Sequence, residues 1–516
     1  MKRKMTFVPV KESLDSLLGR DYIEAAIGAR VALSGDSPAE LRRLARQKVD
    51  FFPAAMQKRQ AALLPSLGQV VCKPLAASVT GAGSIKYHEV TRTAAAPLSG
   101  FGCFRVGESG RLFLIAKSEH YHALVGHAFP GYGLIERARR LGVANATHNN
   151  TRGHMTRRAE EEIVCLANGL PWGSSIRELA QETGRGVLNR LINLETGSLA
   201  CEAAIKIMLA RFYKVQADSP TPPAEGHTPV FIVLGNEGGG LQANYHGTTV
   251  LAQAMRGMWE GLRKRMEKGA AFRVVAVRPN RTDELHAAFQ QWNQGTFKVA
   301  GFLHELVMMN YGATRLDPAF VRDAYVQCAH RGIPVLCDEI QSCLWSPEGF
   351  MFREYGVAPD FVSIGKGFPG GEYPASKILF NSYYDILPQF GALVTNGQEE
   401  LASLAYLVTM RWAGANAGMT RAVGDHFAGR LADLAARHAA VLSRVEGNRH
   451  LQGIHFRELE QAKEAVVRLT EAGIDISAQV YKTEVPPACL LKLPLIADFD
   501  VVDALVDRIG LALRNI

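Results

Sequence analysis

The chain has 516 residues, 47% of them apolar and 21% charged, with a formal net charge of +8. That apolar content suits a large core spread over two or three domains and excludes a disordered or repetitive polymer. No apolar run approaches the roughly 18 residues of a membrane span, and eight cysteines without a C-x-x-C pair or zinc-type spacing support neither a disulfide framework nor a metal site.

The chain opens on the basic stretch "MKRKMTFVPVKES", and no apolar signal segment follows it, so a cytoplasmic location is the expectation. Basic residues thicken again in "ELRRLARQK" and "QKRQ". Without interleaved aromatic residues these are solvated helix faces rather than a nucleic-acid surface, although an anionic small molecule stays compatible. Ser37-Pro38, with Glu40 in the first turn, predicts a helix start. Residues 1–105 otherwise alternate helical patterns with Gly- and Ala-rich loops and carry no assignable chemistry.

From about 190 to 400 the pattern changes. Short apolar stretches at 229–235, 272–277, 298–306, 334–340, 361–365 and 376–380 predict strands. Between the earlier ones lie helical patterns, "TVLAQAMRGMWEGLRKRM" and "PAFVRDAYVQCAHRG". Apolar strands separated by amphipathic helices predict an α/β fold with a mostly parallel sheet covered on both faces. Ligands of such sheets sit beyond the carboxyl ends of the strands. After about 400 two long helical patterns run together, and a small α+β segment closes the chain: "LQGIHF", "AKEAVVRLTEAG", "IDISAQV", "ACLLKL" and "FDVVDALVDRIGLAL". The composition change suggests a separate C-terminal domain from about 415.

Unusual polar groups fall at the strand ends. Upstream of them, "NLETGSLACEAA" puts Thr196-Gly197-Ser198 at the start of an Ala-rich helix, where free backbone N–H groups and the positive dipole end suit an anion. An ordinary N-cap is the alternative. "GNEGGGLQANYHGTTV" supplies a glycine-rich loop followed by Tyr245-His246-Gly247, whose aromatic ring suits stacking on a flat ligand. His246 alone reads more simply as a structural hydrogen-bonding histidine. Glu305 ends one strand, and Asp338-Glu339, with Gln341 beyond, ends another. A carboxylate at a buried strand tip needs a cation or donors, and a plain ion pair with a nearby lysine is the ordinary alternative.

That lysine is Lys366, in "FVSIGKGFPGGEYPASKILF". The stretch matches the G-x-G-x-x-G pattern of dinucleotide loops, but turn residues and a second strand follow where that motif demands a helix. The loop therefore serves the lysine rather than a pyrophosphate.

A helix-start anion site, a Y-H-G loop, a Glu strand end, a D-E-I-Q strand end and a lysine between glycines come in one order. In "ETGSLACEAA", "NYHG", "LHEL", "CDEIQ" and "IGKG" this order resembles the class III pyridoxal-phosphate-dependent aminotransferases, which have the aspartate aminotransferase-like fold type I architecture. "PQFGALVTNGQEELASLAYL" resembles their threonine segment, and "GRLFLI" with "HALVGHAFPGYGLIERARRLG" resembles the opening of their core. The likeness runs from about 110 to the C-terminus.

The resemblance implies a mostly parallel seven-stranded sheet in a large cofactor domain, 106–414, followed by a smaller α+β domain, 415–516. Residues 1–105 fall outside it and are expected to be an N-terminal segment of the small domain and dimer surface, with a partner-binding extension as the alternative. The resemblance also implies pyridoxal 5′-phosphate held by Lys366 as an internal aldimine, with Lys366 later moving the proton. Asp338 would pair with the pyridine nitrogen, Tyr245-His246 would lie at the ring, and Gly197 and Ser198 would hold the phosphate. Gln341 would reach the ring hydroxyl and Glu305 would support the site. Thr395 would serve the phosphate of a neighbouring subunit, which makes the enzyme a homodimer acting on an amino donor and a 2-oxo acid acceptor, with no nucleic acid or membrane partner.

Several positions depart from the family pattern. Leu199 and Leu306 stand where it has Glu and Pro, "DEIQSCLWSPEG" lacks its arginine, and "GNRHLQGIHF" replaces its R-G-x-G stretch. The sequence does not single out a residue for a substrate carboxylate among its many arginines, of which Arg449 is one candidate. An aminotransferase passing through a pyridoxamine form is the leading expectation. An epimerase, racemase or decarboxylase on the same scaffold, and a non-catalytic binding protein that keeps the fold, are the alternatives.

Overall fold

Seven stretches between 190 and 380 form one sheet in the computed structural model, which describes residues 5–236, 243–479, 485–514 and 516. They are β1 (Arg190–Leu194), β2 (Thr228–Leu234), β3 (Arg273–Val277), β4 (Phe297–His304), β5 (Val335–Asp338), β6 (Phe361–Ile364) and β7 (Ser376–Phe380). The spatial order is β1-β7-β6-β5-β4-β2-β3. The pairs from β6 to β3 are all parallel, and β7 runs antiparallel to both β6 and β1. Six of the strands match the apolar stretches of the sequence. β1 was not expected, because Arg190 and Asn193 interrupt its apolar pattern.

The helices around the sheet are α1 (His154–Ala167), α2 (Gly197–Leu209), α3 (Val250–Met255), α4 (Glu260–Lys268), α5 (Pro318–Arg331) and α6 (Glu400–Ala415). The pattern over 249–266 predicts one helix, yet the chain divides it into α3 and α4. Gly257 at φ 89° and Trp259 at φ 56° take left-handed backbone there, which no α-helix continues through. Ala200, Ala203, Ala204 and Ile207 of α2 pack on Phe231, Leu303, Phe361 and Ile378, so this face of the sheet is a dry core. Alternation along β7 turns Lys377 to the opposite face, where it meets Tyr406 of α6.

α1 and α6 are tied by one carboxylate. Glu400 is buried and accepts from the Met155 and Thr156 amides at 2.9 and 3.1 Å and from the Thr156 hydroxyl at 2.6 Å. These amides lie in the first turn of α1, whose N–H groups have no partner inside the helix.

By contacts the chain divides into two units. One is formed within Met1–Lys11, Val49–Gly133 and Gly418–Ile516, the other within Glu12–Lys48 and Leu134–Ala417. The second holds the seven-stranded sheet. The first contains an antiparallel sheet of Pro97–Phe101, Phe104–Gly107 and Leu112–Leu114, and a second of Leu442–Asn448, Leu451–Phe456, Ala488–Lys492 and Ala478–Gln479. Of the expected strand "IDISAQV" only Ala478–Gln479 forms among the described residues, and Val480 lies outside them. Among the described residues no helix is long and apolar enough to cross a membrane.

Replacing Glu400 by alanine strands three buried donors. We expect Glu400→Ala to lower the unfolding free energy by about 3 kcal/mol, read as an earlier urea midpoint, with Glu400→Gln in between.

Candidate active site

The parallel strands end in charge. β5 stops at Asp338, which is 3% exposed, and its carboxylate meets donors from four segments. Ser363 of β6 donates its hydroxyl to Oδ1 at 2.8 Å, and the Ile340 amide donates to the same oxygen at 3.1 Å. His246 Nδ1 lies 2.9 Å from Oδ2, and the Cys201 thiol of α2 lies 3.3 Å from it. A carboxylate only accepts, so Nδ1 carries the histidine proton in this contact. Burial disfavours the charged form of Asp338, but the hydrogen bond and charge of His246, with the Ile340 amide and Ser363 hydroxyl, hold its carboxyl below the usual range. His246 is itself buried, and among the described residues its Nε2 has no partner. The Cys201, His246 and Asp338 ligand atoms lie within 4.8 Å of one another. Burial pushes the Cys201 thiol well above its ordinary value, which makes it a donor to Asp338 rather than a thiolate ligand.

One strand over, Glu305 follows the end of β4. It is buried, and its Oε1 accepts the Tyr245 backbone N–H at 2.8 Å. The Tyr245–His246 loop is thus pinned at two successive residues by two strand-end carboxylates. The Tyr245 ring is half-buried, and the guanidinium carbon of Arg256 lies 4.6 Å from its centroid.

Lys366 follows β6 in a turn closed by the Phe368 N–H to the Gly365 carbonyl at 3.0 Å. Its backbone is left-handed, φ 43°, which is uncommon and costly for a residue with a Cβ. Burial pushes its ammonium below the usual lysine range, while the fields of Glu305 and Asp338 act in the opposite sense.

The helix start that the sequence marks as an anion site opens α2. Thr196 is its N-cap and accepts from the Leu199 amide at 3.4 Å. Ser198 Oγ accepts the Thr248 N–H at 3.0 Å, which joins the helix start to the residues after Gly247. Two glycines make this approach possible. A Cβ on Gly197 would lie 2.2 Å from the Ile340 side chain, and one on Gly247, at φ 123°, would lie 2.6 Å from the Ser198 Cα. The glycine-rich loop between Asn236 and Ala243 lies outside the described residues.

Gln341 is buried just beyond β5. Thr395 is exposed, its carbonyl accepts the Gln398 side-chain amide, and among the described residues no hydrogen bond joins it to the cluster above. Arg449 is ion-paired with Asp425 at 2.9 Å, in the other unit.

Three participants were not foreseen. Cys201 and Ser363 sit in apolar patterns, one helical and one strand, and only the fold brings them to Asp338. The third is Lys377, one residue into β7, with 1% exposure. A lysine inside an apolar strand is the available signal, which a strand pattern alone does not distinguish.

Comparison with known proteins gives one family. The sequence profile of the class-III aminotransferases matches residues 154–513. A diaminobutyrate–2-oxoglutarate transaminase of Streptomyces avermitilis is 27% identical over 197 residues, which cover 37% of this chain and 46% of that protein. A 2-aminoadipate transaminase of Pseudomonas putida is 38% identical over 113 residues, 22% of this chain and 27% of that protein. These matches therefore span less than half the length of either relative. A transaminase from the marine bacterium Virgibacillus superposes with a TM-score of 0.65 at 17% identity, covering 85% of this chain and 96% of that one. Ornithine aminotransferase from Toxoplasma gondii gives 0.63 over 82% of this chain and 91% of its own. The likeness shows the fold, the fold type I architecture anticipated from the sequence.

Glu339, beside Asp338, has a different fate. It is fully buried and accepts from the Met351 and Phe352 amides at 3.0 and 2.7 Å and from the Ser342 hydroxyl at 2.8 Å. Burial, with the field of Glu354 in the same sense and these three hydrogen bonds opposing it, raises its carboxyl to about 7. The folded state therefore holds a proton that the unfolded chain has released above its ordinary 4.5. Its stabilising contribution is complete below 4.5 and is lost as pH rises through about 7, roughly 3 kcal/mol in all. Urea midpoints taken between pH 5 and 8 should show that decline in the wild type and a flatter profile in Glu339→Gln.

Proposed function

The chain belongs to the class-III aminotransferases, and from that premise we propose that it moves an amino group from an amino acid or amine to a 2-oxo acid with pyridoxal 5′-phosphate as cofactor. The observation that carries this reading is a buried, hydrogen-bonded carboxylate, Asp338, whose field reaches a lysine that burial drives towards its neutral amine, Lys366. The residues present fit the cofactor. Its aldehyde needs a primary amine, its ring nitrogen a fixed anion, its phosphate donors at a helix start, and its ring a flat partner. Lys366, Asp338, the Gly197–Ser198 turn and Tyr245 have those chemistries.

When bound, the cofactor supplies an electron-poor ring that stabilises negative charge at the substrate Cα and a carbon that carries the amino group between the two half-reactions. Lys366 Nζ would hold the cofactor's aldehyde carbon in the resting enzyme and, once a substrate amine had taken that place, would be the base that moves the substrate's Cα proton. Burial lowers its proton affinity, which favours the neutral amine that a base requires. Asp338 would keep the ring nitrogen protonated, and His246 keeps Asp338 charged and oriented. The Gly197 and Ser198 amides, with the Ser198–Thr248 contact closing the turn, would hold the phosphate. Tyr245, its backbone fixed by Glu305, would stack on the ring, and Gln341 would meet the ring hydroxyl.

The exposed position of Thr395 supports a role at the phosphate of a neighbouring subunit, hence a homodimer, with residues 106–414 carrying the cofactor. The diaminobutyrate–2-oxoglutarate relative lends support to a 2-oxo acid as acceptor.

The test is the absorption spectrum of the purified protein with pyridoxal phosphate, before and after borohydride and after amine addition. We expect a band that borohydride abolishes, with the label on Lys366 by mass spectrometry, and a band that amines convert to the pyridoxamine form. A colourless protein with Lys366 unmodified would end the reading. Lys366→Ala should lose the borohydride-fixed label and lower amino transfer by about 10²–10⁴-fold, whereas Asp338→Asn should keep the label and lose rate.

A further inference from the structure

A lysine buried in an apolar strand is expensive unless something compensates it, and the surroundings of Lys377 show what does. Its Nζ donates to Asn193 Oδ1 of β1. Asn193 Nδ2 in turn donates to Glu160 Oε1 of α1 at 2.6 Å, and Glu160 pairs with Arg152 at 2.8 Å. The remaining face of the ammonium is covered by the Tyr406 ring, 4.8 Å from Nζ to the centroid. Burial lowers Lys377 to about 8, with Glu160 and Glu399 favouring its charge and Arg152 opposing it.

The stack does not end at Tyr406. Its ring centroid lies 4.9 Å from that of Phe368, at an interplanar angle of 34°. Phe368 is fully buried, and its N–H closes the turn that contains Lys366. The neighbouring residue of β7 reaches the same turn from the other side. Ser376 donates its hydroxyl to the Ile364 carbonyl, and a Cβ on Gly365 would lie 3.1 Å from that hydroxyl oxygen. Strand register puts Lys377 directly opposite Ile364, two residues before Lys366.

We propose that Lys377 is a positioning residue for the proposed reaction: its ammonium, under Tyr406 and through Phe368, holds the left-handed turn that presents Lys366. The inference rests on the reading of Lys366 given above. A non-glycine residue at positive φ persists only where its surroundings over-determine it. Here Ser376 fixes the entry of the turn and the Lys377–Tyr406–Phe368 stack fixes its exit. A desolvated cation–π contact and an aromatic pair are the interactions on which that exit depends. Among the described residues the buried Tyr406 hydroxyl has no partner, so the ring, not the oxygen, is what the position uses.

The test reads the titration of Lys366 itself, without cofactor. The charged groups facing Lys366 are Glu305 and Asp338, and neither is altered. Reductive methylation of the purified protein with formaldehyde across pH, mapped by mass spectrometry, gives the Lys366 midpoint. Fixing pyridoxal phosphate with borohydride is run alongside. Loosening the turn lets water reach the amine, so Lys377→Met and Tyr406→Leu should raise the midpoint by about one pH unit, about tenfold slower labelling at neutral pH. Tyr406→Phe, which keeps the ring, should retain the wild-type midpoint. If Lys377→Met does not fold, Tyr406→Leu gives the same reading with Lys377 in place. Wild-type midpoints in Lys377→Met and Tyr406→Leu, whatever their melting temperatures, overturn the proposal. A wild type that methylates at Lys366 but never takes pyridoxal phosphate overturns the functional reading instead, and the midpoints of the variants still decide the role of the stack.

Discussion

The carboxylate of Asp338 is the charge around which the rest of the site is arranged. Taken out of water alone, such a group would neutralise itself or unfold its surroundings. It stays charged because an imidazole, a hydroxyl, an amide and a thiol converge on it, from a loop, from β6, from its own strand end and from α2. Each donor fixes one piece of the architecture relative to β5. The helix that starts with Gly197 and the loop that carries Tyr245 are brought to the strand tips by the same anion. Glu305 repeats the arrangement one strand over and pins the neighbouring residue of that loop.

Asp338 and Glu339 show how finely environment divides two adjacent acids. Both are buried and both accept several hydrogen bonds. Only Asp338 has an imidazole at 2.9 Å, and its carboxyl falls below its ordinary value, whereas that of Glu339 rises to about 7. The two amides and the hydroxyl on Glu339 hold the turn at Met351–Phe352, which suits a carboxylic acid that need not stay charged. The D-E pair is therefore one carboxylate held charged and one structural cap, not two members of an acid–base dyad.

The strand ends and the lysine turn were legible because their signal is local. An apolar run that stops abruptly at Asp338, or at a lysine between glycines, departs from the core pattern within a few residues, and parallel sheets place such ends at one edge. The failures share the opposite character. β1 carries Asn193 for the sake of Lys377, so its polar residue broke the pattern that would have revealed it. Cys201 is an ordinary small apolar residue in the α2 pattern, and Ser363 an ordinary interruption of β6. Their roles exist only once residues far apart in sequence meet. The break between α3 and α4 follows from the left-handed backbone at Gly257 and Trp259, which the continuous apolar periodicity on either side conceals.

The departures from the family pattern weigh less than they first do. Leu199 packs against the α2 core cluster, and Leu306 is buried with its carbonyl accepting the Leu316 amide, so both replacements are absorbed as apolar packing. Neither is among the four donors of Asp338. A scaffold that only kept the fold would have every physical reason to lose Asp338 and Lys366. Hydrophobic replacements of similar volume at buried charged positions are commonly neutral or stabilising, and a lysine at positive φ stores strain that a glycine would relieve. The chain instead keeps a buried anion with four donors and a lysine at positive φ whose ammonium feels that anion's field. Retained cost at two such positions, with no folding benefit that a cheaper residue could not supply, is what a working cofactor site predicts and a vestigial one does not.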